Sequence, residues 1–418
     1  MGQTIAQKIL ARASGRDRAT LGEIIWAVPD VVINHDHNFP RYLDALDKMG
    51  LQGVASPEKQ IVSIDHRPYS DDQAVVRARE RMRKMAGNGE IAHFFDLGNH
   101  GISHNVPVDQ GLVKPGQLVI ASDSRAPALG CVGALSIALG QGQLTVLVTG
   151  KAWLRVPSTI KVIVTGKPRP GVMSRDIATW VAAGISDARG DYRVLEFYGD
   201  TIDAFGLDER HTLCNVCVDI GVKGAIVPPD GLIEKYLARF GHTAEFVYSD
   251  ADAPYEEEMR FDISNLEPQI ALPPDPMNIR PVSQLQGQKV NQVFIGSCIG
   301  GKLEDLRAAA QVLKGHKVHP SVHLLVIPAT AEIHRQALAE GLIGILAAAN
   351  ANIAVGACGP CYGTIAPLAG DEVCVATSTR NENGRMGSVN ATVLLASAAT
   401  AAATAIRGVV TDPRELLA

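Results

Sequence analysis

Three cysteines have the setting and spacing of metal ligands. Cys358-Gly-Pro-Cys361 is a C-x-x-C in a loop bearing glycine and proline, and Cys298 sits in FIGSCIGG, directly after a predicted strand. Ligands of open α/β sheets gather beyond the carboxyl ends of the strands, so both cysteine sites are expected to face one crevice. Three thiolates suit a cubane iron–sulfur cluster with one iron left open, and such an iron is a Lewis acid for a substrate hydroxyl and carboxylate. Four would suit electron transfer. Spacing alone leaves a redox dithiol, a zinc site and a structural pair open. Zinc requires a fourth ligand, and Cys214-x-x-Cys217 lies far outside ribbon spacing from Cys358. Cys131, Cys214, Cys217 and Cys374 read as buried thiols.

Other polar groups are less specific when taken by themselves. His35-Asp36-His37 suggests metal binding, but adjacent strand residues point to opposite faces, so the three do not easily converge. Asp36 is therefore expected to be structural. Asp65-His66 is as readily surface decoration as an acid–imidazole pair. The glycines of GNGE and GQGQ lack a phosphate-loop lysine or a full dinucleotide fingerprint, which excludes a nucleotide site of either type.

The elements that must position these groups follow from pattern. The chain has 418 residues, enough for two or three domains, with 46% hydrophobic and 5% aromatic residues and 40 glycines. Its interior is thus built from Ala, Val, Leu and Ile between glycine turns. A net charge of -5 gives no basic surface for nucleic acid or membrane. Seven scattered cysteines, an odd count, argue against a secreted disulfide framework. Residues 1–20 read as a helix rather than a leader, and a cytoplasmic protein is expected. Segments 21–33, 61–66 and 113–122 read as strands, and 71–87 as a basic helix. A glycine- and alanine-rich helix is expected at 131–140, and paired strands at 145–166. Helix returns at 172–183. The proline-rich stretch 268–288 reads as a linker. Strand and helix then alternate from VNQVFIGS through HLLVIPA to AEIHRQALAEGLIGILAAAN, the pattern of a doubly wound parallel sheet. The apolar run 391–406 is too short to span a bilayer and reads as a buried small-residue helix.

Across nearly the whole chain, segments resemble the aconitase superfamily in order and spacing. They are most similar to 3-isopropylmalate dehydratase and homoaconitase large subunits. The segments are His35-Asp36, Asp65-His66, Gly101-Ile-Ser-His104, Asp123-Ser124, Trp153-Leu-Arg-Val-Pro157 and Cys214-Asn215. They continue with Gly296-Ser-Cys298, Leu303-Glu-Asp-Leu306, Cys358-Gly-Pro-Cys361 and Arg380-Asn381…Gly384-Arg385. The resemblance implies an α/β, three-domain fold of mainly parallel sheets around a central cleft, with domains at 1–158, 159–275 and 276–418. It implies a 4Fe-4S cluster on Cys298, Cys358 and Cys361 in a hydro-lyase for a small 2-hydroxy di- or tricarboxylic acid. By the same resemblance, Asp65–His66 and His104–Asp123 manage protons, while Arg380, Arg385, Asn381 and Ser124 hold substrate.

Three departures stand out. Where the family usually has Asp-Ser-His-Thr, this chain has Asp123-Ser124-Arg125-Ala126, and where it has Glu this chain has Asp219. It usually has Ser-Cys-Thr-Asn where this chain has Ser297-Cys298-Ile299-Gly300. Arg125 and Asp219 are expected to face one another near the substrate, keeping charge complementarity while losing a titratable imidazole. That suggests an acid other than citrate or isopropylmalate, more anionic or differently shaped. Dimethylmalate-like and phosphonate-bearing acids are alternatives. No Gly-Ser-Ser-Arg segment is present, so the resemblance implies a separate small subunit carrying a swivelling domain and its serine base. Outside catalysis, the rivals are an iron or RNA sensor and a zinc-stabilised binding module.

Overall fold

The computed structural model describes residues 2–417. The chain forms two compact units. The first comprises residues 1–97, 103–165 and 186–261, and the second residues 98–102, 166–185 and 262–418. The chain therefore passes repeatedly from one unit to the other.

The first unit is organised by a five-stranded, wholly parallel sheet. Its spatial order is His93–Phe95, Gln60–Ser63, Val31–His35, Leu118–Ala121, Leu135–Ala138. The central strands are buried along their whole length, and they are mostly apolar for that reason, with Asn34, His35 and Gln60 as the large polar exceptions. Every residue of Val31–His35, Gln60–Ser63 and Leu118–Ala121 is buried. Three of the buried polar side chains are linked: Asn34 donates to Gln60 at 3.0 Å, and Gln143 to Asn34 at 3.2 Å. A four-stranded sheet in the same unit has the parallel strands Gly224–Ile226, Val194–Tyr198 and Thr159–Thr165, flanked by Glu257–Asp262.

The second unit holds a seven-stranded mixed sheet. Thr392–Ala396, Val373–Ala376, Gln292–Ile295, His323–Val326 and Asn352–Ile353 run parallel in that spatial order. Helix Ala398–Arg407 covers it; residues 398–405 are all buried, and their small side chains let the helix lie close. Among the described residues no helix is long and apolar enough to cross a membrane.

Several local expectations are corrected. Residues 131–140 are not a helix: a 3-10 turn over Ala126–Val132 gives way at Gly133, φ 81°, to the strand Leu135–Ala138. Its alternating Leu-Ser-Ile-Ala pattern was outweighed in the sequence reading by composition. The 145–166 run does not pair with itself. Gln143–Thr149 is helical and stops at Gly150, φ 70°. Ala152–Arg155 then pairs antiparallel with Ile24–Ala27, and Thr159–Thr165 pairs parallel with Val194–Tyr198. The expected linker 268–288 is structured. Gln269–Ala271 and Ile279–Pro281 form an antiparallel pair joined to Thr392–Ala396, and Pro281 is tolerated because its strand lies at the sheet edge. The helix expected at 331–350 is two helices, Ala331–Ala339 and Leu342–Ala348, separated by Gly341 at φ 76°. Residues 391–406 begin as the strand Thr392–Ala396 before becoming helix.

Gly130 marks the tightest approach in the first unit. A Cβ there would lie 1.6 Å from the Ala225 carbonyl oxygen, and the Gly130 carbonyl accepts from Val227 at 3.0 Å. Overpacking against backbone typically costs about 1–3 kcal/mol or more. Gly130→Ala is expected to lower the first thermal transition by several degrees; an unchanged melt would contradict this packing.

Candidate functional site

In the first unit, three neighbouring parallel strands deliver polar residues beyond their carboxyl ends. Val31–His35 leads into Asp36, Gln60–Ser63 into Asp65 and His66, and Leu118–Ala121 into Asp123 and Arg125. Asp36 is buried, and its carboxylate accepts from three consecutive backbone N–H groups. Oδ1 takes Asp65 at 3.2 Å and His66 at 2.9 Å, and Oδ2 takes Arg67 at 3.0 Å. This staple fixes the turn that presents His66. Asp65 in turn binds the His66 ring through Oδ1 and accepts from the Ser103 N–H at 3.0 Å through Oδ2.

His35 lies against this pair, its ring 4.4 Å from that of His66. Its Nε2 is 4.0 Å from Asp123, and His104 Nδ1 is 3.6 Å from the other Asp123 oxygen. Both ring nitrogens of His104 are buried without a hydrogen-bond partner, as is His35 Nε2. The His104 ring also stacks at 6.1 Å on His211. His211, and a direct part for His35, were missed by the sequence reading. The alternate spacing of His35 and His37 was the available signal for His35, and nothing local marked His211.

The imidazoles are driven apart electrostatically. Burial pulls His66 down, but Asp65 overrides it and lifts the ring to about 9. Burial takes His104 down to about 4, with Asp123 opposing and Arg125 and His66 assisting. Burial and the His66 charge take His35 down to about 3. Asp123 is held well below the usual carboxylate range: burial opposes this, and His104, His35 and His66 together win. At neutral pH the cluster thus holds one imidazolium, His66, beside neutral His35 and His104 and an ionised Asp123. One ligand atom from each of His35, Asp36, Asp65 and His66 lies within 4.8 Å of the others. The Asp36 oxygens accept from backbone, and those of Asp65 bind His66 and Ser103, so both carboxylates are already committed to hydrogen bonds.

Arg125 and Asp219 do face each other. Two guanidinium nitrogens meet the two carboxylate oxygens at 2.7 Å each, and Arg125 also donates to the Asn215 carbonyl at 3.3 Å. Both side chains are only 6% exposed. The Arg125 fork is thus committed to Asp219. Ser124, between Asp123 and Arg125, is exposed.

In the second unit, the cysteines also lie past the carboxyl ends of parallel strands. Cys298 follows Gln292–Ile295, in the turn Ser297–Gly300, and Cys358 and Cys361 follow Asn352–Ile353 around the turn Gly359–Tyr362. The loop after Val373–Ala376 ties them together. Thr377 accepts through Oγ1 from the Gly296 N–H at 2.8 Å, and its carbonyl accepts from Ser297 Oγ at 3.0 Å. Two residues on, Thr379 Oγ1 is 3.9 Å from Cys361 Sγ. The Cys361 thiol is pulled well below its ordinary value by Cys358, with burial opposing and Arg385 and Thr379 assisting. Arg385 is raised in return, burial notwithstanding, by Cys361 and Glu382. Such thiolate character is what a metal ligand needs. Asn381 is 1% exposed, with both side-chain polar atoms lacking a hydrogen-bond partner. Arg380 and Arg385 each stand 3.9 Å from Glu382. Cys131, Cys214, Cys217 and Cys374 are buried, and burial raises the thiol of each. The Gly300 departure has a steric basis: a Cβ there would lie 2.1 Å from Thr377, so this turn admits no side chain.

Comparison with known proteins gives these two sites a setting. The family model described as aconitase family (aconitate hydratase) matches residues 7–288 and 277–408, and the chain belongs to that family. It is 40% identical to 3-isopropylmalate dehydratase large subunit 1 of Methanopyrus kandleri, and 39% to the probable 3-isopropylmalate dehydratase large subunit of Methanothermobacter thermautotrophicus. It is 38% identical to the 3-isopropylmalate dehydratase large subunit of Thermodesulfovibrio yellowstonii, and each alignment covers 100% of both chains. Its fold is similar to the crystal structure of Thermococcus kodakaraensis aconitase X in its holo form. The TM-score is 0.51 at 15% identity, over 90% of this chain and 89% of the other.

The raised His66 has a thermodynamic consequence. A histidine whose folded value exceeds its unfolded one adds stability in full below about 6.5, lost as pH climbs through about 9. The melting temperature is expected to fall over that alkaline window, and His66→Gln to flatten the fall. A wild-type melt unchanged between these limits would contradict the charged assignment.

Proposed function

We propose that this chain is the cluster-bearing large subunit of a hydro-lyase that dehydrates, and by rehydration isomerises, a small 2-hydroxy di- or tricarboxylic acid of the 3-isopropylmalate or homocitrate type. The observation that carries the reading is the thiol set of the second unit: Cys358 and Cys361 interact, Cys358 and the nearby Arg385 lower the Cys361 thiol, and Thr377–Thr379 links their loop to that of Cys298. These residues fit a 4Fe-4S group held by Cys298, Cys358 and Cys361. When bound, it supplies a Lewis-acidic iron for the substrate hydroxyl and a carboxylate.

The chain's own residues divide the remaining work. His66, held protonated by Asp65, is an acid matched to a departing hydroxyl at neutral pH. His104 is neutral and accepts a proton, or donates a single hydrogen bond, with Asp123 3.6 Å from its Nδ1. Arg380 and Arg385 bind carboxylate through planar forks, and buried Asn381 has unused donors and acceptors for the same ligand. Removal of the carbon-bound proton falls to a serine of a small partner subunit, in keeping with the large-subunit names of the relatives.

The Arg125–Asp219 pair favours a substrate departing from that of the named relatives. It is a closed, buried ion pair, so it shapes the site and carries no proton. Breaking a buried pair typically costs about 3–5 kcal/mol. Arg125→His, which removes the fork, is expected to lower stability by that order, and Asp219→Glu, which keeps the charge but lengthens the side chain, by about 1–3 kcal/mol. The double variant should recover most of it and raise kcat/KM for isopropylmalate at least about tenfold. Additive losses would contradict the pairing.

The decisive experiment is anaerobic purification with iron and sulfide, followed by turnover of a panel of 2-hydroxy di- and tricarboxylates with the small subunit present. A brown protein absorbing broadly near roughly 400 nm is expected, its colour lost in Cys361→Ser. A colourless protein that retains zinc, or one that binds RNA and turns over nothing, would overturn the assignment.

A further inference from the structure

A cleft of about 400 Å³ lies in the first unit between helices Phe39–Lys48 and Gln73–Gly87. Its walls carry four arginines, Arg41, Arg67, Arg77 and Arg81. Two are neutralised. Arg81 grips both oxygens of Asp47 at 2.7 and 2.9 Å, and Arg67 stands 3.6 Å from Asp72. Arg41 and Arg77 make no hydrogen bond or ion pair among the described residues. The lining acids do not offset them: Asp36 is spent on three backbone N–H groups, Asp72 faces Arg67, and Asp44 lies 3.4 Å from Arg81.

The cleft is continuous with the imidazole cluster. Asp36 and His37 are in its wall, the His37 ring is 5.7 Å from that of His66, and Arg67 is the next residue after His66. His37 adds no charge at neutral pH, because burial first, then Arg41 and His66, take it down to about 4. Unpaired guanidinium groups in a concave, small-molecule-sized space are the chemistry of oxyanion recognition.

We propose that Arg41 and Arg77 form a subsite for an additional anionic group of the substrate, a carboxylate or a phosphonate. The substrate of this chain then carries one charged group more than isopropylmalate does. This rests on the hydro-lyase reading for the word substrate, while the anion subsite itself is testable without turnover.

The test is calorimetric titration of the full chain with tricarballylate, phosphonoacetate and glutarate, in wild type, Arg41→Gln, Arg77→Gln and Arg77→Lys. A charge-assisted fork is worth about 1.5–3 kcal/mol, or roughly ten- to a hundredfold in affinity. Tricarballylate or phosphonoacetate is expected to bind at least tenfold tighter than glutarate. Each Gln variant should remove that margin and leave glutarate unchanged, and Arg77→Lys should restore part of it. Which of the two tighter probes wins distinguishes a carboxylate from a phosphonate. Both arginines are exposed, so the variants are expected to melt as wild type does. Equal binding of all three probes, or variants that bind like wild type, would overturn the subsite. So would variants that weaken only assembly with the small subunit, which would make the cleft a protein contact. If the subsite behaves as expected in a protein that never acquires a cluster, the subsite stands and the hydro-lyase reading falls. If the enzyme turns over a dicarboxylate with a KM indifferent to Arg41 and Arg77, the reverse holds.

Discussion

The arrangement of the first unit's polar cluster hangs on one buried carboxylate whose hydrogen bonds go chiefly to backbone. Asp36 accepts from the N–H groups of Asp65, His66 and Arg67 in succession. Three backbone donors in a row cannot be satisfied by a sheet once the strand has ended, and a water shell would leave the turn free to move. An ionised acid that takes all three fixes the direction of His66, the reach of Asp65 toward Ser103, and the point at which Arg67 leaves for the cleft. Burial raises Asp36, and these hydrogen bonds, with the His66 charge, bring it below its ordinary value.

The rest of the buried charge follows the same economy. A lone charge in an apolar interior is prohibitive, and the interior of each unit answers with local partners. Asp219 closes on Arg125, and Lys302 on Asp305 at 2.8 Å with the Ile299 carbonyl beside it. Glu196, fully buried, is ringed by the hydroxyls of Tyr198, Ser249 and Tyr255. Against that background, the groups left without a protein partner are informative. His104 and Asn381 are buried polar groups whose ring nitrogens and amide atoms make no hydrogen bond among the described residues.

Much of the site was legible because its chemistry is written in local motifs. C-x-x-C, a cysteine directly after a strand, and Asp-His at a strand end each survive translation into one dimension. The facing of Arg125 and Asp219, ninety-odd positions apart, was readable only by resemblance to a family whose pair occupies the same places. Whatever depends on tertiary pairing was less legible. The prolines of 268–288 looked like a linker because nothing local says that Gln269–Ala271 has Thr392–Ala396 to lean on. Thr145–Val148 is β-branched enough for a strand, yet burial of Val146 and Leu147 on one face makes it helix. His211 is invisible in sequence because its significance is a stacking distance to His104. The cleft arginines looked like an ordinary basic helix, since only the fold reveals that Arg41 of another helix shares their space.

The interleaving of the two units in sequence has a biosynthetic consequence. The first unit draws on three separated stretches ending at residue 261, with the second unit's residues 98–102 and 166–185 intervening. A chain emerging from the ribosome cannot complete it until well over half has been made, and early pieces of the second unit must wait for strands still unsynthesised. Gln269–Ala271 pairs with Thr392–Ala396, more than a hundred residues further on. No single peptide-bond cut separates the two units, so an order of assembly is written into the threading of the backbone.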